Sequence, residues 1–251
     1  MTMLRVLWNS FFIQAACSFE KMQSMGFAYA ISPALKRIYN EKVEFLFALK
    51  RHMEFFNTHP YMAAPIIGAA IRLEEDIKNG KRTPEDVSLF KRNLMGPYGA
   101  IGDAFFWGSL KPMASVFCVA LFLLSKNPLA AAAFIAIYNI PHLWMRTAGL
   151  YAGYRMGEDA AFYIKSLDIP EWGRRIRYVI ICFLGAAIAV CWQGNKLLYG
   201  LGGIGGDAVS AVGIFAVIMF FSYLMRKGFS ASMLVYSIFV LCIVYNYMLP
   251  Y

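Results

Sequence analysis

The chain has 251 residues, of which 59% are hydrophobic and 16% charged, whereas an ordinary soluble domain carries about 25% charged residues. Such a composition excludes a conventional soluble domain and makes the bilayer its solvent. The excess of 24 Lys and Arg over 15 Asp and Glu comes without a basic stripe, zinc spacing or RNA-binding motif, so it reads as a signal of membrane orientation and not of a nucleic-acid partner.

The opening apolar stretch is interrupted by Asn9, Ser10 and Gln14 and followed by Glu20 and Lys21, which is not the pattern of a signal peptide. After Asn40, a plausible N-cap, the residues Phe45, Leu46, Leu49, Met53 and Phe56 recur at helical spacing. They predict an amphipathic helix, packed on a core or lying in the membrane interface. Residues 60–71 are apolar but too short to span, and they run into Glu74, Glu75 and Asp76. Thr83-Pro84-Glu85-Asp86 marks a helix start, with a capping hydroxyl, a proline in the first turn and two acids. Residues 94–110 hold four glycines, Pro97 and Asp103. This segment and residues 60–71 are expected to be re-entrant or broken helices, which survive at membrane depth only where protein or a hydrated cavity satisfies the backbone.

Apolar runs follow at 113–125, 128–145, 176–192, 208–225 and 229–249, giving about four to five transmembrane helices. The first is too short unless it borrows residues 104–110 across Lys111 and Pro112 as a kinked helix, or forms a hairpin with the next run through Lys126, Asn127 and Pro128. Residues 1–111 carry 14 Lys or Arg and 10 Asp or Glu, and the rest carry 10 and 5. The predicted architecture is therefore an all-α integral membrane protein. Residues 1–112 form a cytoplasm-facing or re-entrant helical region, and residues 113–251 form a transmembrane region. Arg146, Arg155, Lys165, Arg174 and Arg175 in one connection, and Arg226 with Lys227 in another, place these loops inside. The N-terminus is then cytoplasmic and Tyr251 outside.

Catalytic chemistry is thinly supplied. There are three histidines, His52, His59 and His142, and no nucleophile motif or phosphate loop. Neither an autonomous enzyme, a metal site nor a cofactor is expected. Cys17, Cys118, Cys182, Cys191 and Cys242 are scattered and imply no disulfide framework. Solute recognition is better provided for. An uncharged polyol needs donors and acceptors together with an aromatic face, shielded from water, and Gln14, Glu20, Gln23, Asn57, His59, Asp103 and Trp107 stand at the apolar breaks. Each also has a plainer reading: Asn57 and Thr58 as caps, His59 as an interfacial histidine, Asp103 as part of a glycine turn. Glu20 and Asp103 lie within apolar stretches, where an ionisable group is costly and by default functional.

Three blocks carry a family likeness. These are FEKMQSMGF at 19–27 followed by SPALKRIY, RHMEFFNTHPYMAAPIIGAAIRLEE at 51–75, and LMGPYGAIGDAFFWGSLKP at 94–112. In this order and spacing the sequence resembles the IID component of mannose/fructose/sorbose-family phosphotransferase system (PTS) permeases. The resemblance implies a bacterial inner-membrane subunit that pairs with a IIC membrane partner, several pairs assembling together. The pair would translocate a hexose or amino sugar while separate IIA and IIB proteins perform the phosphoryl transfer. It places the family's motif glutamate on Glu20, the FFNT asparagine on Asn57 and the glycine-aspartate turn on Gly102 and Asp103. Glu20, Asn57, Gln23 and His59 are the expected sugar-facing residues, with Gly102, Asp103 and Trp107 structural or at the IIC interface. The chain departs from the family pattern at Cys17-Ser18, where Trp-Asn is usual, and at Ala104, where proline is usual. These departures keep open an alternative, a non-transporting scaffold or regulatory protein of a PTS network.

Overall fold

The computed structural model describes residues 2–194 and, beyond them, only positions 219, 220, 223, 224, 227–229 and 237. Apart from those positions, the expected spans at 208–225 and 229–249 lie outside the described residues, as does the C-terminus. The chain divides into two compact units, Met1–Cys191 and Trp192–Tyr251. Within the second, the Lys227 N–H closes a turn on the carbonyls of Tyr223 and Leu224, ahead of Gly228 at φ +96°.

Regular structure among the described residues 2–194 is helical. The elements are α1 (Thr2–Ser10), α2 (Ser24–Ile38), α3 (Lys42–His52), α4 (Ala63–Lys78), α5 (Pro84–Gly102), a π-helical segment (Asp103–Leu110), α6 (Lys111–Ser125), α7 (Ala130–Met156), α8 (Ala160–Ser166) and α9 (Ile169–Gly194). One helix among the described residues, the continuous Pro84–Phe122, is long and apolar enough to cross a membrane.

The core forms around α4. Its first turns are small or branched apolar residues on every face, and Ala63, Ala64, Ile66, Ile67, Ala69, Ala70 and Ile71 are all buried, as a helix without a polar side must be. The expected interruption at Ile71 does not occur. The helix continues through Arg72, Leu73 and the acids to Lys78, because Glu74 is met by partners in the protein interior. The helix α7 packs against α4 closely enough that a Cβ on Gly68 or Gly153 would fall on the other helix's backbone, the small-residue packing expected where helices associate in lipid.

The glycine-rich segment 94–110 is likewise not broken. Its irregularity is a π-helical winding between two α-helical stretches, in which the backbone stays hydrogen-bonded although the pitch changes. Ser109 Oγ donates to the Ala104 carbonyl at 2.8 Å within it. Pro112 follows directly, in the first turn of α6, where its missing N–H is tolerated in a widened ladder. Run 113–125 thus gains its length by continuity across Lys111 and Pro112, and it also forms a hairpin with α7. That turn has Lys126 in the left-handed region at φ 53° and the Asn127 side chain accepting the Leu129 N–H at 2.9 Å.

Two helix starts were legible in sequence. The capping box at Thr83 is present, with Asp86 Oδ2 accepting the Thr83 N–H at 2.8 Å. The amphipathic segment begins with Glu41, not Asn40, at the cap of α3. It buries Ala48 and His52 while Val43, Leu46 and Phe47 are exposed. Phe56 lies beyond it, buried in the following loop.

Candidate functional site: two zipped loops and a buried aromatic cluster

The loop before α2 and the loop before α4 are tied together by backbone pairing. Met22, at φ 51°, bridges both Ser18 and Phe56. The Gln23 N–H donates to the Phe56 carbonyl at 2.8 Å. Gln23 then spends its whole carboxamide on one residue: Nε2 donates to the Thr58 carbonyl at 2.8 Å and Oε1 accepts the Thr58 N–H at 3.1 Å. The buried Gln23 is thus a clamp that fixes the residues on either side of Asn57. Glu20 and Asn57 themselves are solvent-exposed on these joined loops. Gln14 is exposed as well.

His59 ends the second loop and is buried. Its carbonyl accepts the N–H groups of Met62 and Ala63 and so starts α4. The ring stacks on Phe106 of the π-helical segment at 5.1 Å and meets the edge of Trp107 at 4.8 Å. Gly102 makes this possible, since a Cβ there would overlap the His59 side chain. Burial, reinforced by the charge of Arg146 and by His142, lowers the His59 pKa to about 4, so the ring is neutral at physiological pH. Nδ1 accepts the Tyr61 N–H at 3.3 Å, which puts the proton on Nε2. That buried Nε2–H has no partner among the described residues, and an unpartnered buried donor calls for a ligand, water or partner group. The fold thus brings Gln23, Asn57 and His59 onto one loop pair and gathers Gly102 and Trp107 around His59. Asp103 points outward, exposed.

The cluster extends to Tyr61, Tyr138, His142 and Arg146, of which Arg146 served in the sequence as an orientation signal alone. Tyr61 stacks on His142 at 3.9 Å, and its hydroxyl lies 3.1 Å from that of Tyr138. Arg146, one helical turn after His142 on α7, is buried. Its Nε donates to His142 Nε2 at 3.1 Å and its Nη1 to the Ser10 carbonyl at 2.5 Å. Phe11 and Tyr61 offer their ring faces to the guanidinium at 4.6 and 5.3 Å. This cation is held by neutral dipoles and aromatic faces. The signal in the sequence was the i, i+4 pair of ionisable residues at the end of an apolar run.

Comparison with known proteins supplies the family. The family described as "PTS system mannose/fructose/sorbose family IID component" matches residues 1–191. The chain belongs to this family. This IID chain is 36% identical over 156 residues to the "PTS system mannose-specific EIID component" of Escherichia coli (strain K12), an alignment covering 61% of this chain and 55% of that protein. It is also 36% identical over 152 residues to the "Fructose permease IID component" of Bacillus subtilis (strain 168), covering 60% and 55%. The IID chain therefore spans about half the length of the curated relatives it matches. Among solved structures it resembles a chain of "CryoEM Structure of Mannose Transporter ManYZ and Microcin E492 (MceA) complex", with TM-score 0.59, 25% identity and 98% and 95% of the two chains covered. A second, titled "Structure of membrane protein", matches with TM-score 0.70, 26% identity and 98% and 96% covered. The protein is a membrane component of a PTS.

Proposed function

We propose that this IID chain pairs with a IIC membrane subunit to bind a hexose or amino sugar and carry it across the bacterial inner membrane. The sugar is phosphorylated by IIA and IIB partners, and the product's charge prevents its return through the bilayer. The observation that carries the reading is the joined loop pair, which exposes Glu20 and Asn57 while an unpartnered His59 Nε2–H lies buried two residues on. Asn57 offers both a donor and an acceptor to sugar hydroxyls, Glu20 an acceptor and His59 a donor. Gln23 holds the loop in place. Trp107, 46% exposed, supplies an aromatic face at the sugar or the IIC interface, beside Gly102 and Asp103. The phosphorylation chemistry belongs to the partners, so this chain contributes binding and movement.

Departures from the family pattern leave the local geometry supported. Ser18 Oγ accepts the Lys21 N–H at 3.1 Å, which closes the turn that carries Glu20, and the Ala104 carbonyl is satisfied by Ser109. Transport is thus favoured over a scaffold role. Four to five spans, a cytoplasmic N-terminus, an external C-terminus and several IIC–IID pairs complete the proposed assembly. Asn57→Ala and Glu20→Gln, expressed with the partner subunits, should reduce sugar uptake while the complex still co-purifies. Wild-type uptake in both variants would refute the site.

A further inference from the structure

A second polar centre, which the sugar site does not use, lies beneath the same loop. Glu74, on α4, has no exposed surface. Arg51, at the end of α3, grips it with two bonds, Nε to Oε1 and Nη2 to Oε2, both 2.7 Å. His52 Nε2 lies 2.8 Å from Oε1, and the hydroxyl of Tyr39, the residue that caps the end of α2, donates to Oε2 at 2.7 Å. Four contacts thus converge on two oxygens. From α5, Lys91 Nζ donates to the Arg51 carbonyl at 2.7 Å, holding the C-terminal end of α3. His52 stacks on Phe27 at 5.5 Å, and Phe27 packs on Phe56 at 4.5 Å. Phe56 immediately precedes Asn57. The chain of contact runs without a gap from the carboxylate to the proposed sugar-facing loop.

We propose that Glu74 is a positioning residue for sugar binding: by locking the last turn of α3 onto α4 it sets, through His52, Phe27 and Phe56, where Asn57 is presented. This rests on the reading that Asn57 contacts the sugar. Gln23 holds the backbone of Phe56 and Thr58 on either side of Asn57, and the Glu74 centre adds a hold on the Phe56 ring from the α3 side. A buried carboxylate with every oxygen engaged tolerates little displacement, because any movement of α3 breaks charge-assisted bonds in a low-dielectric interior.

The test uses the full chain assembled with its partner subunits. In Glu74→Gln the KM for sugar uptake should rise up to about tenfold, the weight of one hydrogen bond to the sugar lost or lengthened. Vmax and recovery of the complex should stay near wild type. Hydrogen exchange of the purified complex should accelerate at residues 53–58 and stay unchanged at residues 63–71. The milder Tyr39→Phe, which removes one bond, should shift KM and loop exchange in the same direction by less. Unchanged loop exchange in Glu74→Gln overturns the inference whatever the sugar site proves to be. So does a loss of Vmax and complex together at constant KM. If Glu74→Gln fails to assemble, wild-type KM and loop exchange in Tyr39→Phe overturn it. Failure of the sugar-site reading shows separately, as wild-type uptake by Asn57→Ala.

Discussion

Adding a single methyl group at Gly153 should measurably loosen the interface that holds the site loops on α7. A Cβ built at Gly153 lies 2.9 Å from the Ala69 nitrogen and closer still to the Pro65 carbonyl oxygen. Both obstacles are backbone atoms of α4, so no rotamer change relieves them. Restoring an ordinary carbon–oxygen separation of about 3.3 Å requires the helices to part by roughly 1 Å. A gap of that size forfeits a quarter to a half of the dispersion energy of each contact across it. Overpacking of this kind costs about 1–3 kcal/mol, occasionally more, against which alanine's better helix propensity returns about 1 kcal/mol. Gly153→Ala should therefore lose up to about 2 kcal/mol net, lowering Tm by as much as roughly 4–8 °C for a chain of this size. Gly96→Ala is the matched control. Nothing lies within 4 Å of a Cβ at that position on α5, so the same methyl should be neutral or stabilise by about 0.5–1 kcal/mol. Thermal unfolding of the purified complex reads both. Equal Tm changes in the two variants would refute the argument that backbone contact sets the packing of α4 on α7.

Other predictions concern the loop and the buried carboxylate. Gln23→Leu fills the same space but leaves the Thr58 N–H and carbonyl without partners, at about 1–3 kcal/mol for each group. Faster hydrogen exchange at Thr58 and weaker sugar uptake should follow, and unchanged exchange there would contradict the clamp. Acid should destabilise the folded chain in two overlapping steps. Burial, opposed by its bond to Glu74, lowers His52 from 6.5 to about 4. The ring is therefore neutral at about pH 7, and with Nδ1 buried and unpartnered among the described residues its proton sits on Nε2, facing Glu74. Burial alone would raise Glu74, but the hydrogen bonds from Arg51 and His52 prevail and lower it from 4.5 to about 2. Both groups bind protons more readily in the unfolded chain. Stability therefore falls as pH drops from about 6.5 through about 2, by a total on the order of a few kcal/mol. Denaturant titrations at pH 7 and pH 4.5 measure the first step, and Tyr39→Phe should shift the second upward.

Much of this organisation could be read before the structure. The three motif blocks mark the two loops and the π-helical segment, and Thr83 marks the start of α5. Residues 94–110 read as re-entrant or broken because glycine and proline ordinarily punctuate helices, and residues 60–71 because a short apolar run meets Glu74, Glu75 and Asp76. Here Gly102 serves the close approach of His59, Gly68 serves that of α7, and Pro97 lies inside a continuous helix. Sequence alone does not distinguish a glycine that ends a helix from one that lets another element touch it. Glu20 stands in an apolar stretch, as an expensive buried charge would, but it is exposed on a turn. The costly buried carboxylate is Glu74, whose partners are supplied from α2 and α3. His142 stands four positions before Arg146, but the other acceptor of Arg146, Ser10, is 136 positions away and nothing local announces that contact.

Phosphoenolpyruvate-dependent uptake of a panel of hexoses and amino sugars, in cells deleted for this IID chain and complemented with it, tests the central claim most directly. Uptake of at least one sugar should vanish on deletion, return with the wild-type chain, and stay low with Asn57→Ala although that variant reaches the membrane with its IIC partner. Retention of every uptake activity in the deletion, with the IIC partner demonstrably present, would contradict a transport role.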